Sequence, residues 1–338
     1  MKFHTLSTFE PHRIAELAQR AVELQAGAKP RKAEREFALG LLFLAPSLRT
    51  QTSMQRAAQR LGIDVVTLGQ GLWNLETETG AVMDQDRAEH VIEAAGVLSR
   101  YVDALGVRAF PEMKSWETDS AEPVWNAFAE HADVPLINLE SPRWHPCQAL
   151  ADRAALDALE VPKDATLVLQ WCWHPKVLPH AVANSTLCMA AQRGMNVIVN
   201  APRGYELADD VYARARLLAG NSGGSVEFTS DPELSRSGHV VVAKSWGART
   251  EWGSPAGTPR HSELRPWRIT PDSLNSQARF MHCLPVRRNV VVDDAVLDSP
   301  ASAVLLQAEM RLHAQTALLE SLLASTNEPR RADALQLS

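Results

Sequence analysis

Leu39-Gly40-Leu41-Leu42-Phe43-Leu44-Ala45-Pro46-Ser47-Leu48-Arg49-Thr50-Gln51-Thr52 is the stretch that decides how this chain folds. The apolar run Leu39 to Leu44 has the length and continuity of a strand buried on both faces. A polar turn follows, and Thr50 to Leu61 then reads as a helix that Gly62 stops. A strand that hands over to a helix in this way opens a strand–helix–strand unit, whose strands run parallel. The turn also has the makings of an anion site, because a helix N-terminus offers free N–H groups and the positive end of its dipole. Ser47, Thr50 and Thr52 add hydroxyls, and Arg49 adds a guanidinium fork that matches phosphate oxygens. Ser and Thr are also ordinary helix caps, which is the competing reading of this segment.

Outward from this turn the alternation continues. Val65 to Leu68 reads as the next strand, and Asp86 to Arg100 as a helix with Asp86 at the N-cap and Glu89 three residues on. Ala104 to Val107 and Val134 to Ile137 are strand-like, with a helix near Ala121 to His131 between them. The pattern then restarts. Thr166 to Leu169, Asn196 to Val199, Val226 to Phe228 and His239 to Ala243 read as strands, and Ala181 to Arg193 and Asp209 to Ala219 as helices. The fold class is therefore α/β, with two doubly wound parallel-sheet domains. The helical segment Ala149 to Leu159 bridges them, Ala308 to Leu323 is the last strong helix, and the polar end from Ser325 to Ser338 is expected to fray.

Bulk properties narrow the function. The chain has 338 residues, a length suited to two domains, with 45% hydrophobic and 22% charged residues. A net charge of -6 does not suit a nucleic-acid binder or an acidic membrane surface, so an anionic substrate needs a locally basic pocket. The cysteines at 147, 172, 188 and 283 form no C-x-x-C pair, so neither a zinc site nor a disulfide framework is indicated. Met1 to Leu17 lacks the basic head and apolar block of a secretion signal, and no apolar run approaches the ~20 residues of a membrane helix. A cytoplasmic protein is expected.

Two further segments carry chemistry. His145-Pro146-Cys147-Gln148 starts the bridging helix, where a His and a Gln three apart can face one ligand and donate to a carbonyl oxygen that becomes negative. His282-Cys283-Leu284-Pro285-Val286-Arg287-Arg288-Asn289 sets two Arg after an X-Pro bend at the end of a strand, the side of an open sheet where ligands sit. Each has a plain alternative, a turn histidine in one case and a surface Arg pair in the other.

Together the three segments resemble the aspartate/ornithine carbamoyltransferase family, whose motifs S-x-R-T-R-T, H-P-x-Q and H-C-L-P occur here in order. One departure is Gln51, which stands where the family has a second Arg. Trp73-Asn74-Leu75-Glu76-Thr77-Glu78, Gly106-Val107-Arg108-Ala109-Phe110, Ala243-Lys244-Ser245-Trp246 and Glu309-Met310-Arg311 look like the branch that acts on N-acylated ornithine. The S-M-G loop of ordinary ornithine enzymes is absent. The stretch His174-Pro175-Lys176-Val177-Leu178-Pro179 resembles the acylornithine branch instead, whose second domain is knotted.

The resemblance implies a carbamoyl phosphate-binding domain over residues 1–147, with helix 308–325 packing back on it, and an acylornithine-binding domain over 148–307. It implies a carbamoyl phosphate site of Ser47, Leu48, Arg49, Thr50, Arg108, His145, Gln148, Cys283, Leu284 and Arg311. Trp73 would reach in from a neighbouring subunit of a homotrimer with shared sites. Glu140, Lys244 and Leu284, with Asn184, would hold the acylornithine. Arg108, His145 and Thr50 would stabilise the oxyanion as the δ-amine attacks, with no metal, cofactor or covalent intermediate required. The setting implied is arginine biosynthesis.

The acyl group is read from Met83-Asp84-Gln85-Asp86-Arg87-Ala88-Glu89-His90, which is similar to M-D-x-D-x-E-E-H of the N-acetyl enzymes. Ala88 stands at the first Glu, where the N-succinyl enzymes have Pro. Ala removes a carboxylate that would repel the succinyl carboxylate, and Arg87 beside it could attract one. The five steps from Glu140 to His145, and Val291 where some acetyl enzymes have Lys, point the same way, so N-succinylornithine is favoured over N-acetylornithine. Three rivals remain. A plain ornithine carbamoyltransferase lacks its S-M-G loop here, while a carbamoyltransferase for another amino acid stays open. A nicotinamide oxidoreductase lacks G-x-G-x-x-G after any strand, since Gly220-Asn221-Ser222-Gly223-Gly224 follows a helix. A catalytically silent paralogue acting as a binding subunit does not fit intact Arg49, Arg108, His145, Gln148 and Arg311.

Overall fold

The alternation is present in a computed structural model of the chain, which describes residues 1–69, 75–78, 80–84, 86–232, 234–254 and 259–326. The first half runs β1 (Lys2–Phe3), α1 (Pro11–Gln25), β2 (Ala38–Phe43), α2 (Leu48–Arg60), β3 (Asp64–Leu68), the short pair β4 (Leu75–Glu76) and β5 (Glu89–His90), then α3 (Val91–Tyr101), β6 (Ala104–Arg108), α4 (Trp116–Ser120), α5 (Pro123–His131) and β7 (Leu136–Glu140). Its main sheet has the order β1-β7-β6-β2-β3, parallel throughout. Leu39, Leu41 and Leu42 of β2 are wholly buried, as a central parallel strand requires.

α6 (Pro146–Ala158) leads into the second half. There follow β8 (Thr166–Trp171), α7 (Ala181–Arg193), β9 (Asn196–Asn200), α8 (Asp209–Ser222), β10 (Ser225–Thr229), β11 (Val240–Lys244), α9 (Pro259–Glu263), β12 (Arg279–Met281), α10 (Asp294–Leu297) and α11 (Val304–Thr326). This sheet has the order β10-β9-β8-β11-β12, again parallel. In the first sheet the chain goes from β2 outward to β3 and then crosses back to β6. In the second it goes from β8 outward to β9 and β10 and returns to β11. The crevices beside β2 and β6, and beside β8 and β11, are therefore the switch points where open α/β sheets bind ligands.

α6 and α11 tie the halves together. α11 packs along α1, α2 and α6, while α6 also contacts α7. Leu150 and Leu156 of α6 and Leu319 and Leu322 of α11 are buried in one cluster that reaches Leu39 on one side and Leu167 on the other. Each such side chain contributes about 1.5–3 kcal/mol of transfer free energy. Arg20 of α1 forks onto buried Glu320 of α11, at 2.7 Å from Nε and 3.0 Å from Nη2.

Some boundaries depart from the sequence reading, each for a local reason. The helix expected from Asp86 starts at Val91 instead, where His90 Nδ1 accepts the Ile92 N–H at 3.2 Å. Glu89 and His90 are held extended by pairing with Leu75 and Glu76, so the helix cannot run through them from Asp86. The helix expected over Ala121 to His131 is α5, which ends at His131 but starts two residues later at Pro123, because Glu122 before it has a left-handed φ of 52° and separates it from the short α4. α1 was not anticipated, although Ile14, Ala18 and Ala21 repeat at helical spacing on its buried face. Of the expected fraying end, Ser325 and Thr326 close α11, and residues 327–338 lie outside the described residues. No helix among the described residues is long and apolar enough to cross a membrane.

Candidate active site

A cavity of about 370 Å³ lies at the carboxyl ends of both sheets, lined by residues from each half. The first wall is the β2–α2 turn. Ser47 is extended and caps α2, its Oγ accepting the Thr50 N–H at 3.3 Å. Leu48 is 78% exposed and Thr50 is buried. Arg49 lines the cavity, and among the described residues its guanidinium makes no ion pair or hydrogen bond. A short-range rule, a polar cap before an apolar period, put these groups here.

Arg311 comes from the other end of the chain. Buried on α11, it donates from Nη2 to the Thr50 hydroxyl at 2.9 Å and from Nη1 to Gln148 Oε1 at 2.7 Å. Gln148 in turn donates to Asp152 one helical turn on, at 2.7 Å. The first and second motifs thus meet through an arginine that neither contains.

Arg108 ends β6 and Glu140 ends β7, paired strands that bring the guanidinium onto the carboxylate, while the Phe110 ring lies 5.5 Å from the guanidinium carbon. Glu140 is the single carboxylate lining the cavity among the described residues. His145 Nε2 stands 3.6 Å from it across the turn Ser141–Trp144. That turn is braced by Asn138 Nδ2 on Ser141 Oγ at 2.9 Å, and by the Ser141 hydroxyl on buried Glu122. Burial, then the charges of Arg311, Arg108, Lys244 and Arg49, hold His145 well below the ordinary imidazole value. The ring is therefore neutral at physiological pH and donates without carrying charge. Its Nδ1 is buried with no partner among the described residues.

The third motif follows β12. His282 donates its backbone N–H to Gln307 Oε1 at 2.9 Å, and its Nδ1 accepts the Leu284 N–H at 2.9 Å. Nε2 is then the protonated nitrogen of the neutral ring. Burial first, then Lys244 and Arg49, push His282 down to about 3. Burial raises the Cys283 thiol, which stays protonated. Leu284 has a left-handed φ of 53°, an uncommon state for a branched side chain and one that clusters at functional sites. Lys244 ends β11 in the cavity wall, and among the described residues its ammonium has no ion pair or hydrogen bond.

The structure adds residues that the sequence reading did not assign. His174, just past β8, lines the cavity. Its Nε2 accepts from Arg287 Nε at 3.0 Å, so Nδ1 carries the proton and donates to the Lys176 carbonyl at 3.0 Å. Burial, foremost, lowers this ring to about 4. Its place at the end of a strand beside the switch point was the available signal. Leu178, Pro179, Val182 and Val291 complete an apolar wall. Gly247 lets this wall form: its N–H reaches the Leu178 carbonyl at 2.9 Å, and a Cβ there would sit 2.1 Å from Val177 Cγ1.

Other expectations fall elsewhere. Arg288 was read with Arg287 as a basic group at the ligand side. It instead pairs with Asp294 and Asp298 at 2.8 Å on the surface. Asn184 is wholly buried in α7, donates to the Arg143 carbonyl at 3.1 Å, and is not in the cavity wall. Ala88 is exposed and outside the wall of its own chain's cavity. Trp73 lies outside the described residues. What remains is a pocket with an anion seat at a helix start, neutral donors beside it, and a free ammonium opposite an apolar wall.

Comparison with known proteins bears on this pocket. The model of the aspartate/ornithine carbamoyltransferase carbamoyl-P binding domain matches residues 2–157, and that of the Asp/Orn binding domain matches residues 178–322. The N-acetylornithine carbamoyltransferase of Xanthomonas campestris pv. campestris is 39% identical over 298 residues, 85% of this chain and 88% of its own length. The N-succinylornithine carbamoyltransferase of Bacteroides fragilis is 35% identical over 287 residues, 84% of this chain and 86% of its own. A solved alanine-for-glutamate mutant of N-acetyl-L-ornithine transcarbamylase, complexed with carbamyl phosphate and N-succinyl-L-norvaline, is similar with a TM-score of 0.89 and 36% identity, over 95% of this chain and 99% of that one.

Proposed function

From the premise that this chain is a carbamoyltransferase of the aspartate/ornithine carbamoyltransferase family, we propose that it carbamoylates the δ-amine of an N-acylated ornithine, with N-succinyl-L-ornithine preferred to N-acetyl-L-ornithine. The observation that carries this reading is the convergence of Arg49, Arg108, Arg311 and Lys244 on one cavity that, among the described residues, holds a single carboxylate, Glu140, itself paired with Arg108. Such a pocket suits two anionic substrates, carbamoyl phosphate and an acylated amino acid whose α-amine has lost its charge.

In this reading Ser47, Leu48, Arg49, Thr50, Gln148 and Arg311 hold carbamoyl phosphate, with its phosphate at the start of α2. The neutral δ-amine attacks the carbonyl carbon, a C–N bond forms, and electron density moves to the carbonyl oxygen. Arg108, His145 and the Thr50 hydroxyl donate to that oxygen. The C–O bond to phosphate then breaks, and the departing phosphate takes the amine proton. Cys283 and the Leu284 carbonyl orient the carbamoyl NH2. Lys244, Glu140 and Leu284 hold the acylornithine, and Asn184, buried outside the cavity wall, is the weaker candidate on that side. Residues 1–147 with helix 308–325 carry the first substrate, and 148–307 the second.

The succinyl preference rests on Ala88. In the resemblance to the acetyl branch it takes the place of a glutamate, and the neighbouring solved protein with alanine for a glutamate is complexed with an N-succinyl compound. Because Ala88 lies outside its own chain's cavity, the reading requires a homotrimer in which this segment and Trp73 complete a neighbour's site. A cytoplasmic step of arginine biosynthesis is the matching setting, and a knotted second domain belongs to the same reading.

One assay tests the proposal: colorimetric detection of the ureido product from carbamoyl phosphate with ornithine, N-acetylornithine or N-succinylornithine. The expected order of kcat/KM is N-succinyl, then N-acetyl, then ornithine. Turnover of ornithine above both acylated amines would overturn it.

A further inference from the structure

Gln148 of the cavity wall and Gln307, which lies behind it and holds the His282 N–H, hang on one carboxylate oxygen. Asp152 is buried on α6 and is not in the cavity wall, so it touches no substrate. Its Oδ1 accepts from Gln148 Nε2 at 2.7 Å and from Gln307 Nε2 at 2.7 Å. An amide whose NH2 is held in this way presents its oxygen in one direction only. Gln148 Oε1 accepts from Arg311 Nη1 at 2.7 Å, and Gln307 Oε1 accepts the His282 N–H at 2.9 Å. Were either amide turned over, an NH2 would face an N–H, donor against donor.

We propose that Asp152 is a positioning residue for carbamoyl transfer, setting the direction of the Gln148 and Gln307 amides and, through them, the placement of Arg311 and of the His282–Leu284 segment. One oxygen thereby orders all three motifs, since the second arm of Arg311 reaches Thr50. The proposal rests on the carbamoyl phosphate reading of the site. It assigns the acceptor, rather than the charge, as the working feature. Oδ2 is buried without a partner among the described residues, and burial raises this carboxyl to about 6. A proton on Oδ2 leaves Oδ1 accepting both amides, and Asn offers the same oxygen.

The test compares full-length wild type, Asp152→Asn, Asp152→Ala and Gln307→Leu, with His145→Ala as control. The readouts are kcat, carbamoyl phosphate affinity by calorimetry, and thermal melting. Asp152→Asn should stay within about threefold of wild type in kcat and affinity. Asp152→Ala should lose at least tenfold in kcat and bind carbamoyl phosphate at least fivefold more weakly, at temperatures where it remains folded. If that variant does not fold, Gln307→Leu decides, with an expected loss of at least fivefold in kcat. Equal loss in the Asn and Ala variants, or wild-type behaviour of Asp152→Ala or Gln307→Leu, overturns the proposal. The binding arm needs no amine, so a wrong amine substrate leaves the role of Asp152 judged by affinity. Full activity in His145→Ala would count against the site reading itself.

Discussion

The Arg311 guanidinium donates from Nη2 to the Thr50 hydroxyl at 2.9 Å, though 261 residues separate the two along the chain. The same side chain reaches Gln148 with its other arm. This leaves Arg49, the neighbour of Thr50, without an ion pair or hydrogen bond among the described residues, like Lys244 in the same cavity. The division is physical: Arg311 is fixed before any ligand arrives, and Arg49 has its full donor fork to give to one.

Arg49→Ala should therefore lower kcat/KM by about 10²–10³-fold, or roughly 3–4 kcal/mol, the scale of losing one charged contact to a buried ligand group. Thermal melting should be almost unchanged, since the guanidinium makes no hydrogen bond or ion pair among the described residues that could be lost. Kinetics at saturating acylornithine, with carbamoyl phosphate varied, checks this. A variant within threefold of wild type contradicts the phosphate assignment.

His145 and His282 should both stay neutral through the working pH range. Burial and the surrounding cations hold the first well below its ordinary value and the second at about 3. Their folded values lie below the unfolded ones, so stability linked to them is present above pH 6.5 and falls as acid forces protons onto buried rings. ¹⁵N spectra of the imidazoles between pH 5 and 8 should show no titration of either ring. A midpoint near 6.5 in either would mean that the ring donates as a cation.

Asp152→Asn should change stability in a pH-dependent way, gaining relative to wild type as pH rises. The folded carboxyl titrates near 6 against 3.8 for an unperturbed group. Its stabilising contribution is full below about pH 4 and is lost as pH rises through 6. Above that, burying the charge costs up to about 3 kcal/mol. Asn has no charge to bury, and the cost of its NH2 at the position of the unpartnered Oδ2 does not vary with pH, so the unfolding free energy of the variant minus that of wild type should grow from pH 4 to pH 7 and then level. Denaturant titrations at pH 5 and pH 8 measure it. A difference independent of pH shows that the carboxyl is not raised.

Ala88→Glu should reduce kcat/KM for N-succinylornithine by tenfold to a hundredfold, about 1.4–2.8 kcal/mol, and change N-acetylornithine much less. Two carboxylates ~4 Å apart at a surface-like dielectric repel by about 4 kcal/mol, and solvent relieves part of that. Equal losses on both substrates would remove Ala88 as the selector.

Mixed oligomers should rescue activity. A chain with Arg49→Ala and a chain with Trp73→Ala, each inactive alone, should together restore a fraction of turnover if Trp73 serves a neighbour's site. Verified mixed oligomers that remain inactive would show that each chain completes its own site.

Local patterns carried the fold. The run Leu39 to Leu44, the cap at Ser47 and the stop at Gly62 are short-range features, and β2 and α2 lie where they indicate. The same holds for α7, whose ends match at Ala181 and Arg193. The break at Glu122, the start of α3 at Val91 and the whole of α1 were missed. Two of these depend on pairing or on a left-handed residue, whereas α1 carries a helical period in Ile14, Ala18 and Ala21 that was legible and was passed over.

By itself, then, the sequence determined the parallel α/β plan and the candidate groups, because strand period, helix caps and motif order are properties of neighbours along the chain. Only the tertiary structure decided which of those groups share a cavity. It brings Arg311 of the last helix to Thr50, sets Asp152 beneath two glutamines, adds His174 to the wall and sends Arg288 to the surface. It also decided that His145 is neutral. A pKa depends on burial and on charges within a few ångströms, and those charges come from residues far apart in the chain.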